Sequence, residues 1–241
     1  MRYLEGERSH HRSPSLSWSS CYGRRPRALL VNDAPVTGEG VTIAVLDTGV
    51  DSRHPDLVHA IDQQASRSFS LRADLNDRHG HGTHICGIIA GSGSASAGRF
   101  RGIAPGARLV VFKVMERQGG IDLDVPAGVA AALDAGADII NYSGGQRGTH
   151  RGPWKWPFDL GFRDETFRQT SAEGVLCVAA AGNEGHWNGS TVLGTVIRPG
   201  NLPSILCAGS TAGRATVSAI SGRGPVYIDD RLRPNEVAPY I

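Results

Sequence analysis

Two short segments of the sequence carry an acid and a base in surroundings that suit proton transfer. Asp47 ends an apolar run, and His81 stands between two glycines in the segment Gly-His-Gly-Thr-His at 80–84. A carboxylate that hydrogen-bonds an imidazole fixes its tautomer and stabilises its protonated form, as general-base catalysis requires. Each residue alone also has a common structural explanation, because aspartate after a strand often caps a turn, and histidine is often buried or caps a helix.

Two further segments carry groups suited to binding a polypeptide and to stabilising negative charge. Asn183 follows the run Ala-Ala-Ala-Gly at 179–182, and its side-chain NH2 is suited to donate to a developing oxyanion. Ser143, Gly144 and Gly145 follow another apolar run, where small side chains leave the main chain open to pair with an extended peptide. An ordinary asparagine turn and a Gly-Gly loop are the alternatives that these residues leave open.

The elements that must position these residues are visible in the hydrophobic pattern. Strand-like apolar runs at 41–46, 109–115, 138–142, 175–181 and 204–208 alternate with helix-like segments at 81–91, 122–136 and 159–173. This alternation predicts an α/β fold of three layers, in which helices flank a mostly parallel sheet. Ligands bind at the carboxyl ends of such strands, so we expect residues 47–49, 143–145 and 182–185 to form one site.

Taken together, these motifs resemble those of the subtilisin-like serine proteases, the subtilases. Asp-Thr-Gly, Gly-His-Gly-Thr-His, Ser-Gly-Gly and Ala-Ala-Gly-Asn occur in the order and approximate spacing of that family. Similarity extends to His-Pro-Asp-Leu at 54–57, Gly-Ile-Ala-Pro at 102–105 and Ser-Gly-Arg-Gly-Pro at 221–225. It covers about residues 35–239, and a joint match of this kind is specific. The resemblance implies a serine-type endopeptidase domain that hydrolyses peptide bonds in a polypeptide substrate.

The resemblance also assigns a role to each motif. It implies that Asp47 orients His81, that His81 is the general base, that Asn183 donates to the oxyanion, and that Ser143 to Gly145 line the substrate cleft. In this family the chain order is Asp, His, Ser, and the nucleophilic serine lies in Gly-Thr-Ser-Met-Ala-x-Pro at the start of a late helix.

The nucleophile motif is the part of the family pattern that the 241 residues do not contain. Residues 234–241 resemble a family segment that precedes this serine, and Ser210, Ser218 and Ser221 fall in a predicted strand and its following loop. None of these three has the turn into a helix that exposes a nucleophile. We therefore expect residues 31–241 to be a peptidase domain that is truncated before the nucleophile motif and lacks the C-terminal serine helix.

Two non-catalytic readings compete with that of a protease. In the first reading the chain is a pseudoprotease, which keeps the cleft at 143–145 and binds extended peptides without cutting them. In the second it is a fragment that a partner chain completes. The absent Gly-Thr-Ser motif separates both readings from catalysis by this chain alone.

Metal chemistry is the other alternative, and the pattern argues against it. His79, His81 and His84 form H-x-H-x-x-H, a pattern that suggests a zinc hydrolase as an alternative, but residues two apart on a helix do not face each other. Asp56 matches a calcium ligand of some family members, whereas the loop at 91–98 that would complete the site has no carboxylate or amide side chain. We predict neither a metal site nor a cofactor.

Charge and composition exclude several partners and leave the compartment open. The net charge of +2 does not favour nucleic acid, and no window reaches the about 18–20 apolar residues of a membrane-spanning helix. Residues 1–30 are basic, lack the apolar core of a secretory signal, and are interpreted as a disordered lead-in. The four cysteines are expected to be reduced, which is compatible with the cytoplasm, and a disulfide that involves Cys21 is the alternative.

Overall fold

The structure, a computed structural model, describes residues 30–31, 34–116, 124–145, 162–212, 216–224 and 236–239. The helices are α1 (His81–Ala90), α2 (Asp124–Asp134) and α3 (Phe162–Ala172). The strands are β1 (Leu30–Val31), β2 (Ala34–Pro35), β3 (Thr42–Asp47), β4 (Arg67–Ser68), β5 (Arg108–Lys113), β6 (Ile139–Tyr142), β7 (Leu176–Ala180), β8 (His186–Trp187), β9 (Ser190–Thr191), β10 (Leu206–Thr211) and β11 (Glu236–Pro239).

Seven of these strands form one parallel sheet in the order β11-β10-β7-β6-β3-β5-β4. Strand β3 lies between β5 and β6, and its last five residues are buried. A run of aliphatic residues that is buried on both faces is typical of a parallel sheet covered by helices. The pairs β1-β2 and β8-β9 are short antiparallel ribbons outside this sheet.

Two hydrophobic cores cover the two faces of the sheet. Ile43 and Val45 of β3 pack in a core with Cys86 of α1. Ala44 and Leu46, whose side chains point the other way, pack with residues of α2 and α3. The alternating positions of one strand therefore enter different cores, and the predicted three-layer α/β architecture is confirmed.

The sheet register brings the predicted site segments to one edge. Leu46 pairs with Tyr142, and Tyr142 pairs with Ala179. Asp47, Ser143 and Ala180 consequently form the next row across three neighbouring strands, all of which run in the same direction. The carboxyl ends of β3, β6 and β7 thus lie side by side, as expected from the sequence.

The predicted elements agree with the observed ones within a few residues, and each predicted helix overlaps an observed one. Cys86, Cys177 and Cys207 are buried and form no disulfide with one another, whereas Cys21 and most of the predicted lead-in lie outside the described residues. After Thr211, the described segments 212, 216–224 and 236–239 contain no helix. None of the helices in the described part of the chain has the length and apolar character needed to cross a membrane.

Candidate active site

Asp47 and His81 form a direct side-chain pair. Asp47 is the last residue of β3 and is fully buried, and His81 is the first residue of α1. The distance between His81 Nδ1 and Asp47 Oδ1 is 2.7 Å. An ionised carboxylate only accepts hydrogen bonds, so Nδ1 carries the proton and Nε2 of the neutral ring is the basic nitrogen. The sequence-predicted acid and base are therefore adjacent, with the base oriented by the acid.

The electrostatics of this pair favour a charged imidazole. The hydrogen bond to Asp47 raises the pKa of His81, desolvation opposes it, and the charges of Asp47 and Asp77 add to the rise. Oδ2 of Asp47 is buried and has no hydrogen-bond partner in the described part of the chain. A buried carboxylate with a free oxygen favours a neighbouring positive charge, so the site stabilises His81 in its protonated form.

Two glycines allow the start of α1 to approach the end of β3. Gly80 precedes the helix with a φ angle of 89°, a left-handed conformation that glycine adopts without strain. A Cβ on Gly82 would meet the main-chain oxygen of Gly49 and lie 3.2 Å from Oδ1 of Asp47. The glycines on both sides of His81 thus permit the contact between the helix and the buried carboxylate.

The segment from Ser143 to Gly145 continues from β6 along the same edge. Asn141 Nδ2 donates a 3.0 Å hydrogen bond to Ser143 Oγ. Between described residues, no hydrogen bond uses a main-chain N–H or C=O group of Ser143, Gly144 or Gly145. Within the described part of the chain, these groups are consequently available for pairing with an extended chain.

Asn183 lies on an exposed turn that follows β7. Its main-chain N–H donates to Oε2 of Glu184 at 3.0 Å, and Gly182 before it has a φ angle of 95°. Strand β6 separates β7 from β3, so at about 4.8 Å per strand the end of β7, three residues before Asn183, lies about 10 Å across the edge from Asp47. The structure brings the predicted oxyanion donor to the same edge as the acid–base pair, with its amide free in the described part of the molecule.

Comparisons with known proteins agree with this arrangement. The model of the subtilase family matches residues 38–239. The chain belongs to the subtilase family. It is 31% identical over 228 residues to serine protease AprX of Bacillus subtilis (strain 168), covering 87% of this chain and 48% of that protein. It is 34% identical over 173 residues to the major intracellular serine protease of the same organism, covering 66% and 50%.

Solved structures of proteases have the same fold as this subtilase chain. Sphericase is 31% identical, with a TM-score of 0.66 over 84% of this chain and 67% of that one. A psychrophilic protease is 27% identical, with a TM-score of 0.67 over the same shares. The subtilase chain spans about half the length of the curated relatives it matches.

The late serines of the subtilase chain serve structural contacts. Ser221 is 1% exposed, and its Oγ accepts from Ser210 N at 3.0 Å and lies 3.3 Å from Gly222 O. Ser218 is also buried. Nε2 of His81 has no hydrogen-bonded serine within the described segments. That none of these serines is an activated nucleophile stays a prediction.

Neither metal alternative finds a fitting donor set in the subtilase chain. Nδ1 of His81 is bonded to Asp47, and no group of three metal-ligating side chains occurs among the described residues. Oδ1 of the buried Asp56 accepts from Ala95 N at 2.8 Å and from Ser92 Oγ at 3.3 Å. N–H and O–H donors from the 91–98 loop therefore occupy the carboxylate that matches a calcium ligand elsewhere in the family.

Sequence reasoning missed two residues at this subtilase site. Ile197 fills the space beside the main chain of Gly145 and Gly182, and no sequence signal marks it. Asp77 accepts hydrogen bonds from Gly80 N at 2.8 Å and Thr83 N at 2.8 Å, and so caps the helix that begins with His81. An acidic residue three positions before a helix-start glycine was the signal that would have revealed it.

Proposed function

We propose that this chain provides the acid, base, oxyanion donor and substrate-binding edge of a subtilisin-like serine endopeptidase, and that residues 31–241 are its peptidase domain. The observation that carries the proposal is the 2.7 Å contact between His81 Nδ1 and the buried Asp47, at the sheet edge that also holds Ser143 to Gly145 and Asn183. The family membership supports a polypeptide substrate.

Each residue has a defined task in the proposed reaction. An extended substrate pairs with the free main-chain groups of 143–145. His81 Nε2 removes the proton from a serine hydroxyl as its oxygen attacks the peptide carbonyl, and Asp47 holds the resulting imidazolium. The NH2 group of Asn183 donates to the oxyanion, and His81 then returns the proton to the leaving amine.

The nucleophilic serine lies outside residues 1–241 in this proposal. The 241 residues contain no Gly-Thr-Ser, and the late serines 210, 218 and 221 lie in a strand and a loop where Ser218 and Ser221 are buried. The serine belongs either to a longer form of the same polypeptide or to a completing chain. A pseudoprotease that binds peptides without cleavage is the second candidate, because the main-chain groups of 143–145 that would bind a peptide have no hydrogen bond with other described residues.

The first test is to sequence the gene through and beyond codon 241 and to express the complete reading frame beside residues 1–241. A fluorophosphonate probe labels an activated serine, and a fluorogenic peptide reports hydrolysis. We expect both signals from the complete protein, and we expect His81→Ala to abolish hydrolysis. His59→Ala is the matched control, because His59 is an exposed histidine whose ring contacts Pro105 O and neither Asp47 nor His81. His79 is unsuitable as a control, since its ring packs against that of His81.

The pseudoprotease makes the opposite expectation. If the complete reading frame shows neither labelling nor hydrolysis, and residues 1–241 bind an extended peptide equally well with and without His81→Ala, the endopeptidase proposal is overturned. Loss of hydrolysis in both His59→Ala and His81→Ala would also contradict the specific role given to His81.

A further inference from the structure

The carboxylate of Asp77 accepts five hydrogen bonds at the start of α1. Oδ1 accepts from Thr48 Oγ1 at 2.9 Å, His79 N at 3.0 Å and Gly80 N at 2.8 Å. Oδ2 accepts from Thr83 N at 2.8 Å and Thr83 Oγ1 at 2.7 Å. Every contact is made with a donor, so the position requires a group that only accepts, which among side chains of this size is an ionised aspartate.

The residues that donate these five hydrogen bonds lie close in sequence to both members of the acid–base pair. Thr48 directly follows Asp47, and its Oγ1 also accepts from Gly82 N at 3.0 Å. Gly80, Gly82 and Thr83 are the neighbours of His81. A single carboxylate thus links the end of β3 to the first turn of α1, on both sides of the imidazole, without touching the imidazole by a hydrogen bond.

The loop that carries Asp77 is itself fixed to the sheet. Lys113 is the residue of β5 that lies opposite Asp47 of β3 in the strand register. Its side chain is fully buried, and its Nζ donates to Asn76 O at 3.0 Å. Leu75 O accepts from Val50 N at 2.8 Å. Because the two residues before Asp77 are held by main-chain contacts, its carboxylate is a rigid point of attachment.

We infer that Asp77 is a positioning residue for His81, which holds the first turn of α1 against the end of β3 and so keeps the imidazole in contact with Asp47. The inference rests on the proposed function, in which His81 is the general base. Small displacements of a catalytic group are enough to reduce the rate by about 100-fold, so this attachment matters for turnover. The negative charge of Asp77 also adds to the rise in the pKa of His81.

The test compares Asp77→Asn with the matched control Asp74→Asn in the complete protein. Both changes remove one charge from the same loop. Asp74 contacts Arg78 at the surface, accepts from Asn76 N and lies 3.9 Å from Lys113 Nζ, and an asparagine at 74 keeps the accepting Oδ1. Unlike Asp77, it accepts no hydrogen bond from the described residues around His81. An asparagine at 77 replaces one accepting oxygen by an NH2 group, which faces N–H and O–H donors and cannot accept from them. We expect kcat for a peptide to fall about 10–100-fold with KM within about twofold. NMR of labelled histidine is expected to show a lower pKa of His81 and a weakened Nδ1–H signal, while Asp74→Asn leaves all three readouts unchanged.

Making Asp77→Asn also in the Asp47→Asn variant distinguishes a positioning role of Asp77 from a general loss of folding. If Asp77 acts through the contact between His81 and Asp47, Asp77→Asn has little further effect on kcat in Asp47→Asn. An equal fold-loss in both backgrounds, or an unchanged Nδ1–H signal in Asp77→Asn, overturns the inference. Thr83→Val keeps a similar shape and removes the hydroxyl that donates to Asp77 and accepts from Asp51 N. It gives the same NMR comparison should Asp77→Asn not fold.

The two proposals fail in different ways. If the unmodified protein does not hydrolyse peptides, the proposed function fails, while the NMR signals of His81 still decide whether Asp77 positions it. If hydrolysis occurs and depends on His81 but Asp77→Asn behaves as Asp74→Asn does, only the role of Asp77 is rejected.

Discussion

Lys113 and Asp47 end neighbouring parallel strands side by side, yet the buried ammonium of Lys113 bonds to Asn76 O and not to the Asp47 carboxylate. Its Nζ also lies 3.2 Å from Glu116 Oε1. Two opposite charges in adjacent positions are thereby assigned to different partners. The lysine fixes the loop before His81, which leaves the aspartate to the imidazole.

Replacing Lys113 tests that division directly. Lys113→Met keeps the aliphatic stem but leaves Asn76 O without its donor, so we expect the free energy of unfolding to fall by about 1–3 kcal/mol. Urea denaturation measures this change. Arg53→Met is the control, because Arg53 is exposed and its ion pair with Asp51 is a long surface contact of 4.0 Å. We expect its free energy of unfolding to change by less than about 0.5 kcal/mol. Equal stabilities for the two variants would contradict this account of Lys113.

Gly82→Ala tests the close approach of α1 to β3. The added Cβ would collide with Gly49 O, so the helix start must move away from Asp47. We expect kcat for a peptide to fall about 100-fold and stability to fall by about 1–3 kcal/mol. Gly136→Ala is the comparison, since its φ of 69° imposes backbone strain in open space far from the site. Equal activity in both variants would rule out the steric explanation.

The pH dependence of hydrolysis follows from the pKa of His81. The hydrogen bond to Asp47 raises this pKa above the about 6.5 of free histidine. A general base must be neutral, so kcat/KM is expected to rise as pH increases through the raised pKa of His81. Asp47→Asn removes the main cause of the rise. We expect a rate loss of about 10⁴-fold and an acid limb at lower pH, measured with a fluorogenic peptide. An unshifted acid limb would show that another group controls it.

The contribution of His81 to folding stability changes with pH in the opposite direction to kcat/KM. The pKa of His81 is higher in the folded state than in the unfolded state, so the contact between imidazolium and carboxylate contributes fully below about pH 6.5. That contribution is lost as pH rises through the folded-state pKa. We expect the difference in unfolding free energy between the native protein and His81→Gln to shrink above this range, as urea denaturation at several pH values will show. A difference that grows with pH would mean that the pKa is lowered.

Ser221→Ala tests whether a late serine replaces the missing nucleophile. The change removes the oxygen that accepts from Ser210 N in a buried position. We expect stability to fall by about 1–2 kcal/mol, while fluorophosphonate labelling and peptide hydrolysis by the complete protein stay the same. Loss of labelling with intact folding would identify Ser221 as the nucleophile and refute the proposal that this serine lies outside residues 1–241.

The sequence was sufficient for the fold and for most of the candidate site. Parallel strands buried on both faces produce unbroken apolar runs, so the ends of those runs identify Asp47, Ser143 and Asn183 as neighbours. The motif around His81 placed it at a helix start, where it is observed. Local patterns were informative because Asp47 and Ser143 lie at the ends of strands and His81 lies at a helix start.

Contacts between distant loops could not be predicted in the same way. The bond from Thr48 to Asp77 joins residues 29 positions apart, and it depends on how α1 packs against β3. Lys113 was interpreted as part of an apolar strand, because nothing in the run around it identifies the carbonyl that its ammonium reaches. Ile197 belongs to a segment without periodicity, so its place beside Gly145 followed only from the packed structure.

The position of β3 within the sheet also decides how the site withstands local opening. Strand β3 is bonded on both sides and packed in two cores, so its amides are expected to exchange with solvent only when the whole domain unfolds. Asn183 lies on an exposed turn, where hydrogen exchange requires only a small fluctuation. As temperature rises, Asn183 is therefore expected to lose its position before Asp47 does, so that heat weakens the rim of the candidate site while the buried carboxylate beside His81 is still held.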